Sequence, residues 1–358
     1  MLSKLISIPL DGSVHLGPLG NVPVFGAGLL LACWCLFGLA IVIAVLRQDG
    51  LAALKQIPLG SIFSWVLIAV VIFQAPHFDF KEIPVYGYGT MLFLGFLACS
   101  SVGAYRLRQN GYDGELAWEF AMWIFVSGIA GARLWYVVQY PERFFLPDQG
   151  LVATLKKLVN LPDGGLVLYG GVISGAVAYY VVCYLRRLNP LALADIFITS
   201  VFIAVAFGRV GCLLNGCCYG DVCSLPWAIT FPQESVPFVA EWHRGLIEPT
   251  AKHSLPLHPT QIYSALDGVV LALLTLAYYP WRRRNGDVLV LGWLCYPVSR
   301  FAIETLRGDE LGKFNTSLTI SQWFSIAMFV SGLVLLAFLH WPRGTSAAPL
   351  PKKVSVAG

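Results

Sequence analysis

Three arginines lie inside otherwise apolar or glycine-rich stretches: Arg133 in Gly131-Ala132-Arg133-Leu134, Arg209 in Phe207-Gly208-Arg209-Val210-Gly211, and Arg300 in Pro297-Val298-Ser299-Arg300-Phe301. At the centre of a bilayer each would cost roughly 2.5–3.5 kcal/mol on insertion scales, so each needs a buried acid, a water cavity or an anionic ligand. Acids are available in Glu119, Asp195, Asp267 and Glu304, and Arg300 stands one helical turn from Glu304, where the two can pair. Pairing would make these arginines structural. The alternative is chemical: a planar guanidinium grips phosphate through two parallel hydrogen bonds, and a chain facing lipid has phosphodiesters within reach. Glycines beside Arg133 and Arg209 let a headgroup approach the backbone closely. These residues point to an enzyme or transporter for a phospholipid.

Three further constellations carry weaker signals. Gly164-Gly165-Leu166-Val167-Leu168-Tyr169-Gly170-Gly171 places paired glycines on both sides of a tyrosine, although small residues are also ordinary at helix contacts in membranes. His258-Pro259-Thr260-Gln261-Ile262-Tyr263 offers a histidine and a tyrosine that can act as an acid/base pair, with an aromatic-belt anchor as the plainer reading of Tyr263. Cys212, Cys217, Cys218 and Cys223 follow the spacing C-x4-CC-x4-C. Zinc modules favour C-x2-C pairs, and an outward location favours disulfides, so disulfides are expected here rather than a metal. A thiol nucleophile would need a base, and none is identified beside these cysteines.

The elements that must position these groups are membrane helices. The 358 residues are 57% hydrophobic and 12% charged, against roughly 25% charged in a soluble domain. Apolar runs long enough to cross about 30 Å of hydrocarbon start near Phe25, Gly60, Tyr88, Leu116, Leu166, Leu193, Ile262, Val288 and Ile320, the second and sixth being the weakest. The expected fold is an all-α polytopic membrane protein of about nine spans. Basic residues Arg47, Lys55, Arg106, Arg108, Arg186, Arg187, Arg282, Arg283, Arg284, Arg343, Lys352 and Lys353 fall in alternate loops and the tail, which makes that side cytoplasmic. The N-terminus is then outside and the C-terminus inside. No cleavable signal peptide is expected, since residues 1–10 lack a long apolar region. The net charge of +4 is accounted for by the inner loops and suits anionic lipid rather than nucleic acid.

Pro23-Val24-Phe25-Gly26-Ala27-Gly28 recurs as Pro84-Val85-Tyr86-Gly87-Tyr88-Gly89, and Arg47-Gln48-Asp49-Gly50 recurs as Arg108-Gln109-Asn110-Gly111. Shared helix-end grammar can produce this, as can a partial duplication. The expected organisation is a two-span extension over residues 1–79, a seven-span core over residues 80–342 with a small outer cap over residues 221–259, and a disordered cytoplasmic tail over residues 343–358.

Taken in order, the motifs resemble the prolipoprotein diacylglyceryl transferase family. The resemblance runs through Tyr88-Gly89-Thr90-Met91, Gly131-Ala132-Arg133, Gly170-Gly171, Gly208-Arg209-Val210-Gly211, Asn215-Gly216, Gly220, His258 to Tyr263, and Arg300-Phe301 with Glu304 and Arg307. It covers roughly residues 86–340, and only the ordered set is specific. It implies an enzyme of the bacterial cytoplasmic membrane that moves the diacylglyceryl group of phosphatidylglycerol onto the lipobox cysteine in the signal peptide of a prolipoprotein, forming a thioether and releasing glycerol phosphate. It implies no metal or other cofactor. By resemblance Arg209 holds the lipid phosphate, Arg300 and Glu304 belong to the catalytic set, and Tyr88, Asn215 and Gly220 match functional positions. Arg133 and Tyr263 are added on the substrate side, and Tyr169 and His258 as bases. The chain departs from the family at Tyr169, where a histidine is usual, and at Cys212 and Cys217, where asparagine and glutamate are usual. Tyr169, His258 or the cationic site itself then activates the thiol, or a different acceptor is used; a lipid-binding or lipid-moving protein without catalysis is the alternative reading.

Overall fold

The computed structural model describes residues 4–9, 13–15, 21–49, 59–75, 82–144, 150, 154, 157–158, 165–308 and 316–341. The expected tail over residues 343–358 lies outside them. Two compact units emerge, Leu2–Gly89 and Thr90–Gly358.

In the first unit, α1 (Leu29–Asp49) and α2 (Leu59–Gln74) are apolar helices joined by a stacked indole pair, Trp34 on Trp65 at 3.9 Å between ring centroids, with Trp34 Nε1–H donating to the Trp65 carbonyl. Two short antiparallel ribbons accompany them. Strand β1 (Lys4–Pro9) pairs with β4 (Glu82–Tyr86) in the register Ile6↔Val85, and β2 (Ser13–His15) pairs with β3 (Asn21–Pro23). The sequence reading expected helices alone, because each strand is too short to show a two-residue period above the apolar background.

The second unit holds most of α3 (Gly87–Gln109), then α4 (Glu115–Gln139), α5 (Leu168–Leu185), α6 (Pro190–Asn215), the short α7 (Val236–His243), α8 (Thr260–Tyr278), α9 (Asp287–Glu304) and α10 (Ile320–His340). Among the described residues, five helices are long and apolar enough to cross a membrane: α3, α4, α6, α8 with its continuation to Trp281, and α10. The chain is therefore an all-α membrane protein apart from its ribbons. The sixth apolar run, expected among the weakest, forms the longest helix, α6, of 26 residues or about 39 Å. Local grammar sets its ends. Asn189 accepts the Leu191 and Ala192 N–H groups at its start, Pro190 follows at the first position, and Gly216 closes it with φ 75°.

Lipid tails offer helices no hydrophobic reason to associate, so contact depends on close backbone approach. Helices α4 and α5 achieve it through Gly131 and Gly170. A Cβ on Gly131 would fall 2.6 Å from the Gly170 carbonyl, and one on Gly170 would fall 2.4 Å from the Gly131 carbonyl. Ser174 Oγ bridges the pair by donating to the Ser127 or Gly170 carbonyl, each at 2.8 Å. The glycines flanking Tyr169 are thus a helix contact.

At the end of the unit where α3 stops and α9 starts, charges are paired. Arg186 forks onto Glu119 at 2.8–2.9 Å, and Asp195 accepts the Gly286 and Leu289 N–H groups at the head of α9. His340 reaches Asp287 at 3.0 Å. Arg106, expected in a loop, is instead buried in the last turn of α3, bonded to Thr199 and lying over the Tyr279 ring at 4.3 Å. Three of the four acids expected near the membrane arginines are thereby accounted for elsewhere, since Asp267 takes the Ser299 hydroxyl.

Between α6 and α8 the chain folds back on itself around Tyr219, Phe231 and Leu257, which form a small core under α7. Leu257 bridges both Val222 and Ile229. Glu241 on α7 is buried, where it accepts the Leu255 N–H at 2.8 Å, and burial pushes its carboxyl above the usual range.

Candidate active site

Glu304 ends α9 and is buried, its carboxylate shared by two arginines. Arg300 Nη1 lies 2.5 Å and Arg307 Nη1 3.2 Å from Glu304 Oε2, while Thr319 Oγ1 donates to Oε1 at 3.0 Å. The pairing of Arg300 with Glu304 expected from their spacing is present. Thr319 also opens α10 with a capping box closed by Gln322, so the carboxylate ties the exit of α9 to the start of α10. Arg300 reaches on to Ser321 Oγ at 3.2 Å. Two guanidiniums thus share one carboxylate in a place that burial keeps from full hydration.

Arg209 is different. It sits half-buried on α6 and makes no hydrogen bond or ion pair with any described residue. A half-buried guanidinium that retains its donors costs stability unless water or an anion meets them.

The segment after α6 is laced to the start of α8 and the exit of α9. Thr260 Oγ1 donates to the Cys218 carbonyl at 2.7 Å and Gln261 Nε2 to the Cys217 carbonyl at 2.9 Å. Gly220 N–H donates to the His258 carbonyl, His258 N–H to that of Asp221, and Asp221 N–H to that of Leu306. These bonds bring Asn215, Gly220, His258, Glu304 and Arg307 to one end of the unit, with Arg209 two turns down the same helix. Gly220 is the tightest point. A Cβ there would fall 2.4 Å from His258 Cβ and 2.7–2.8 Å from the carbonyl oxygens of His258 and Leu306. Gly220→Ala is expected to lower stability by about 1–3 kcal/mol by forcing these strands apart, read as a lower unfolding temperature in detergent.

His258 and Tyr263, expected as an acid/base pair, face one another with Nδ1 and the phenol oxygen 3.4 Å apart. The Trp227 indole N–H donates to that phenol oxygen at 2.7 Å, which fixes the ring. Tyr169 stands in the first turn of α5 with its ring stacked on Phe324 of α10, centroids 4.4 Å apart. Phe324 lies one turn beyond Ser321, which places Tyr169 beside the turn that Arg300 contacts. Tyr88 is in the first turn of α3, 39% exposed, within the Leu2–Gly89 unit.

Arg133 has a structural task in this arrangement. Its guanidinium donates to the carbonyls of Leu158, Gly165 and Lys157 at 3.0, 3.1 and 2.6 Å, and it lies over the rings of Tyr136 and Phe144. Those contacts hold Phe144, Lys157, Leu158 and Gly165 to α4.

The nine cysteines are free thiols, so the disulfides expected within the C-x4-CC-x4-C segment are not formed. Cys212, Cys217 and Cys218 nevertheless converge, their sulfurs all within 4.8 Å of one another, and Cys223 stands apart. Adjacent cysteines point together here because Cys218 takes a left-handed backbone, φ 58°, two residues after the left-handed Gly216.

The described residues thus define a helical membrane protein in which Arg300 and Arg307 share one buried carboxylate and Arg209 has no partner among the described residues. The chain belongs to the prolipoprotein diacylglyceryl transferase family, whose model matches residues 76–338. It is similar to the phosphatidylglycerol–prolipoprotein diacylglyceryl transferase of Clostridium tetani, 30% identical over 72% of this chain and 94% of that protein. A second Clostridium relative, transferase 2 of C. perfringens, is 30% identical over 71% of this chain and 90% of its own length. The transferase of Rhodopirellula baltica is 27% identical and aligns with 91% of this chain and 87% of its own length. That last alignment extends beyond the core that the Clostridium proteins cover.

Sequence reasoning singled out neither Thr319, Ser321 nor Trp227, and it left Arg307 outside the site. Arg307 is three residues from Glu304 and was legible from spacing. The two hydroxyls and the indole reach the site from segments whose approach only the fold determines.

Proposed function

We propose that this chain transfers the diacylglyceryl group of phosphatidylglycerol to the lipobox cysteine of prolipoproteins. The observation that carries the reading is Arg209, a half-buried cation with no partner among the described residues, in a chain that belongs to a family of such transferases. Arg209 holds the lipid phosphate. The acceptor thiolate attacks the glycerol carbon that bears the phosphate ester, a carbon–sulfur bond forms, the carbon–oxygen bond breaks, and glycerol phosphate leaves with the electron pair. Arg300, held by Glu304, adds positive charge where the leaving group develops negative charge. Asn215, Gly220 and Tyr263 shape the lipid and peptide sites, Arg133 supports them by holding Lys157, Leu158 and Gly165, and Tyr88 matches a functional position by resemblance.

A thiol with an unperturbed pKa of about 8.5 must lose its proton first. His258 is the better base, since its ring is set against Tyr263; Tyr169, a phenol stacked on Phe324, is the other. His258→Ala is expected to lower turnover by about 10²–10³ with little change in lipid binding, and Tyr169→Phe by less than about tenfold. A larger loss in Tyr169→Phe, measured with the same peptide, reverses that assignment.

The chain is placed in a bacterial cytoplasmic membrane with about nine spans, N-terminus outside and C-terminus inside. Residues 1–79 form a scaffold extension, residues 80–342 the transferase core with its outer cap at 221–259, and residues 343–358 a cytoplasmic tail. Expression in a bacterium depleted of its own transferase is the test. Growth with lipidated precursors is the expected outcome, and no growth with the chain present in the membrane fraction argues against the activity.

A further inference from the structure

The proposed transfer leaves one demand weakly met, the activation of the acceptor thiol, and three thiols that no step uses stand beside the phosphate arginine. Cys212 follows Arg209 by three residues on α6, so the two side chains project from the same face one turn apart. Cys217 and Cys218 are carried back over the end of that helix by the left-handed Gly216 and Cys218, and their sulfurs join that of Cys212 within 4.8 Å. The loop is fixed from outside by Gln261 on the Cys217 carbonyl and Thr260 on the Cys218 carbonyl. A non-glycine residue held in a left-handed conformation is a constraint that a chain keeps where the side chain must point one way.

We infer that Cys212, Cys217 and Cys218 bind a zinc ion through their three sulfurs, and that the lipobox thiol of the acceptor becomes its fourth ligand. Tetrahedral zinc with Zn–S distances of about 2.3 Å holds its sulfurs about 3.8 Å apart, so side-chain shifts of about 1 Å complete the site. Three protein ligands leave one position open, as in a catalytic rather than a structural site. A thiol that coordinates zinc is deprotonated outright, which removes the need for a strong base. The balance is simple. The acceptor S–H proton passes to His258 as sulfur binds zinc. The bound thiolate then forms the carbon–sulfur bond, the glycerol carbon–oxygen bond breaks, and glycerol phosphate departs on Arg209, one helical turn from Cys212. No electron is gained or lost by the metal.

This inference rests on the transferase reading for its fourth ligand, and binding is tested apart from turnover. The full-length protein, grown with added zinc and purified in detergent without chelators, is expected to hold about one zinc per chain. Cys212→Ser and Cys217→Ser are expected to hold less than about a tenth of that, and Cys223→Ser the full amount. Cobalt loaded in place of zinc should give a thiolate-to-cobalt charge-transfer band that strengthens when a lipobox cysteine peptide is added and is unmoved by the serine peptide. Wild-type protein without metal, or with Cys212 joined to Cys217 or Cys218 as a disulfide, overturns the proposal. A cobalt band indifferent to the cysteine peptide overturns its acceptor part. Undiminished transfer by metal-stripped protein rejects the zinc site and keeps the transferase reading, whereas a metal site that takes up the peptide thiol without any transfer does the reverse.

Discussion

Arg209→Ala is expected to lower kcat/KM for diacylglyceryl transfer by about 10²–10³, or about 2.7–4 kcal/mol, while leaving the protein at least as stable as the parent. The two halves of that expectation come from one observation. Arg209 makes no hydrogen bond or ion pair among the described residues, so its removal breaks no bond among them, and it withdraws a half-buried charge whose insertion cost roughly 2.5–3.5 kcal/mol. A leaving phosphate, by contrast, loses two fixed donors at the moment its charge grows. Arg209→Lys should recover only part of the loss, because an ammonium cannot make the paired bonds of a guanidinium. Thermal unfolding in detergent beside transfer kinetics reads both halves. A variant that unfolds early and loses activity in proportion would make Arg209 a structural residue.

Glu304→Gln is expected to fail in both respects. The carboxylate is buried between Arg300 and Arg307 and also takes the Thr319 hydroxyl. An amide there presents hydrogens to guanidinium donors and removes the carboxylate that Arg300 and Arg307 share, a loss of about 3–5 kcal/mol for a broken buried pair. Because Thr319 caps α10, the damage should spread to that helix. A further variant separates structure from chemistry. Replacing Arg300, Glu304 and Arg307 together by methionine removes the charges as a set, which can be neutral or stabilising. Stability is expected to return in that triple variant and transfer to remain at background. Recovery of transfer would show that the trio serves only to hold α9 to α10.

Much of this was legible before any fold was known, and the reasons are specific. Each apolar run that the sequence marked begins within a few residues of a helix, and among the described residues five of those helices are long and apolar enough to cross a membrane, a property read from length and composition rather than from a faint period. The spacing of Arg300 and Glu304 was enough to foresee their pair. Other features depended on what the chain meets after folding. Arg133 and Arg209 look alike in sequence, each near glycine in an apolar stretch, yet one is clamped onto three carbonyls and the other has no partner among the described residues. The outward location argued for disulfides, and the C-x4-CC spacing could not reveal that Cys218 adopts a left-handed backbone. Strands β1 and β4 pair residues nearly eighty positions apart, beyond the reach of local pattern.

The central claim is that a phospholipid held by Arg209 gives its diacylglyceryl group to a thiol. Purified protein in phosphatidylglycerol vesicles, incubated with a lipobox peptide, tests it by intact mass. The expected result is a peptide heavier by one diacylglyceryl unit, bonded through a thioether that survives mild base treatment of its esters, with glycerol phosphate released in equal amount and neither product formed by Arg209→Ala. An unmodified peptide, under conditions in which the Clostridium tetani relative produces the adduct, would contradict it.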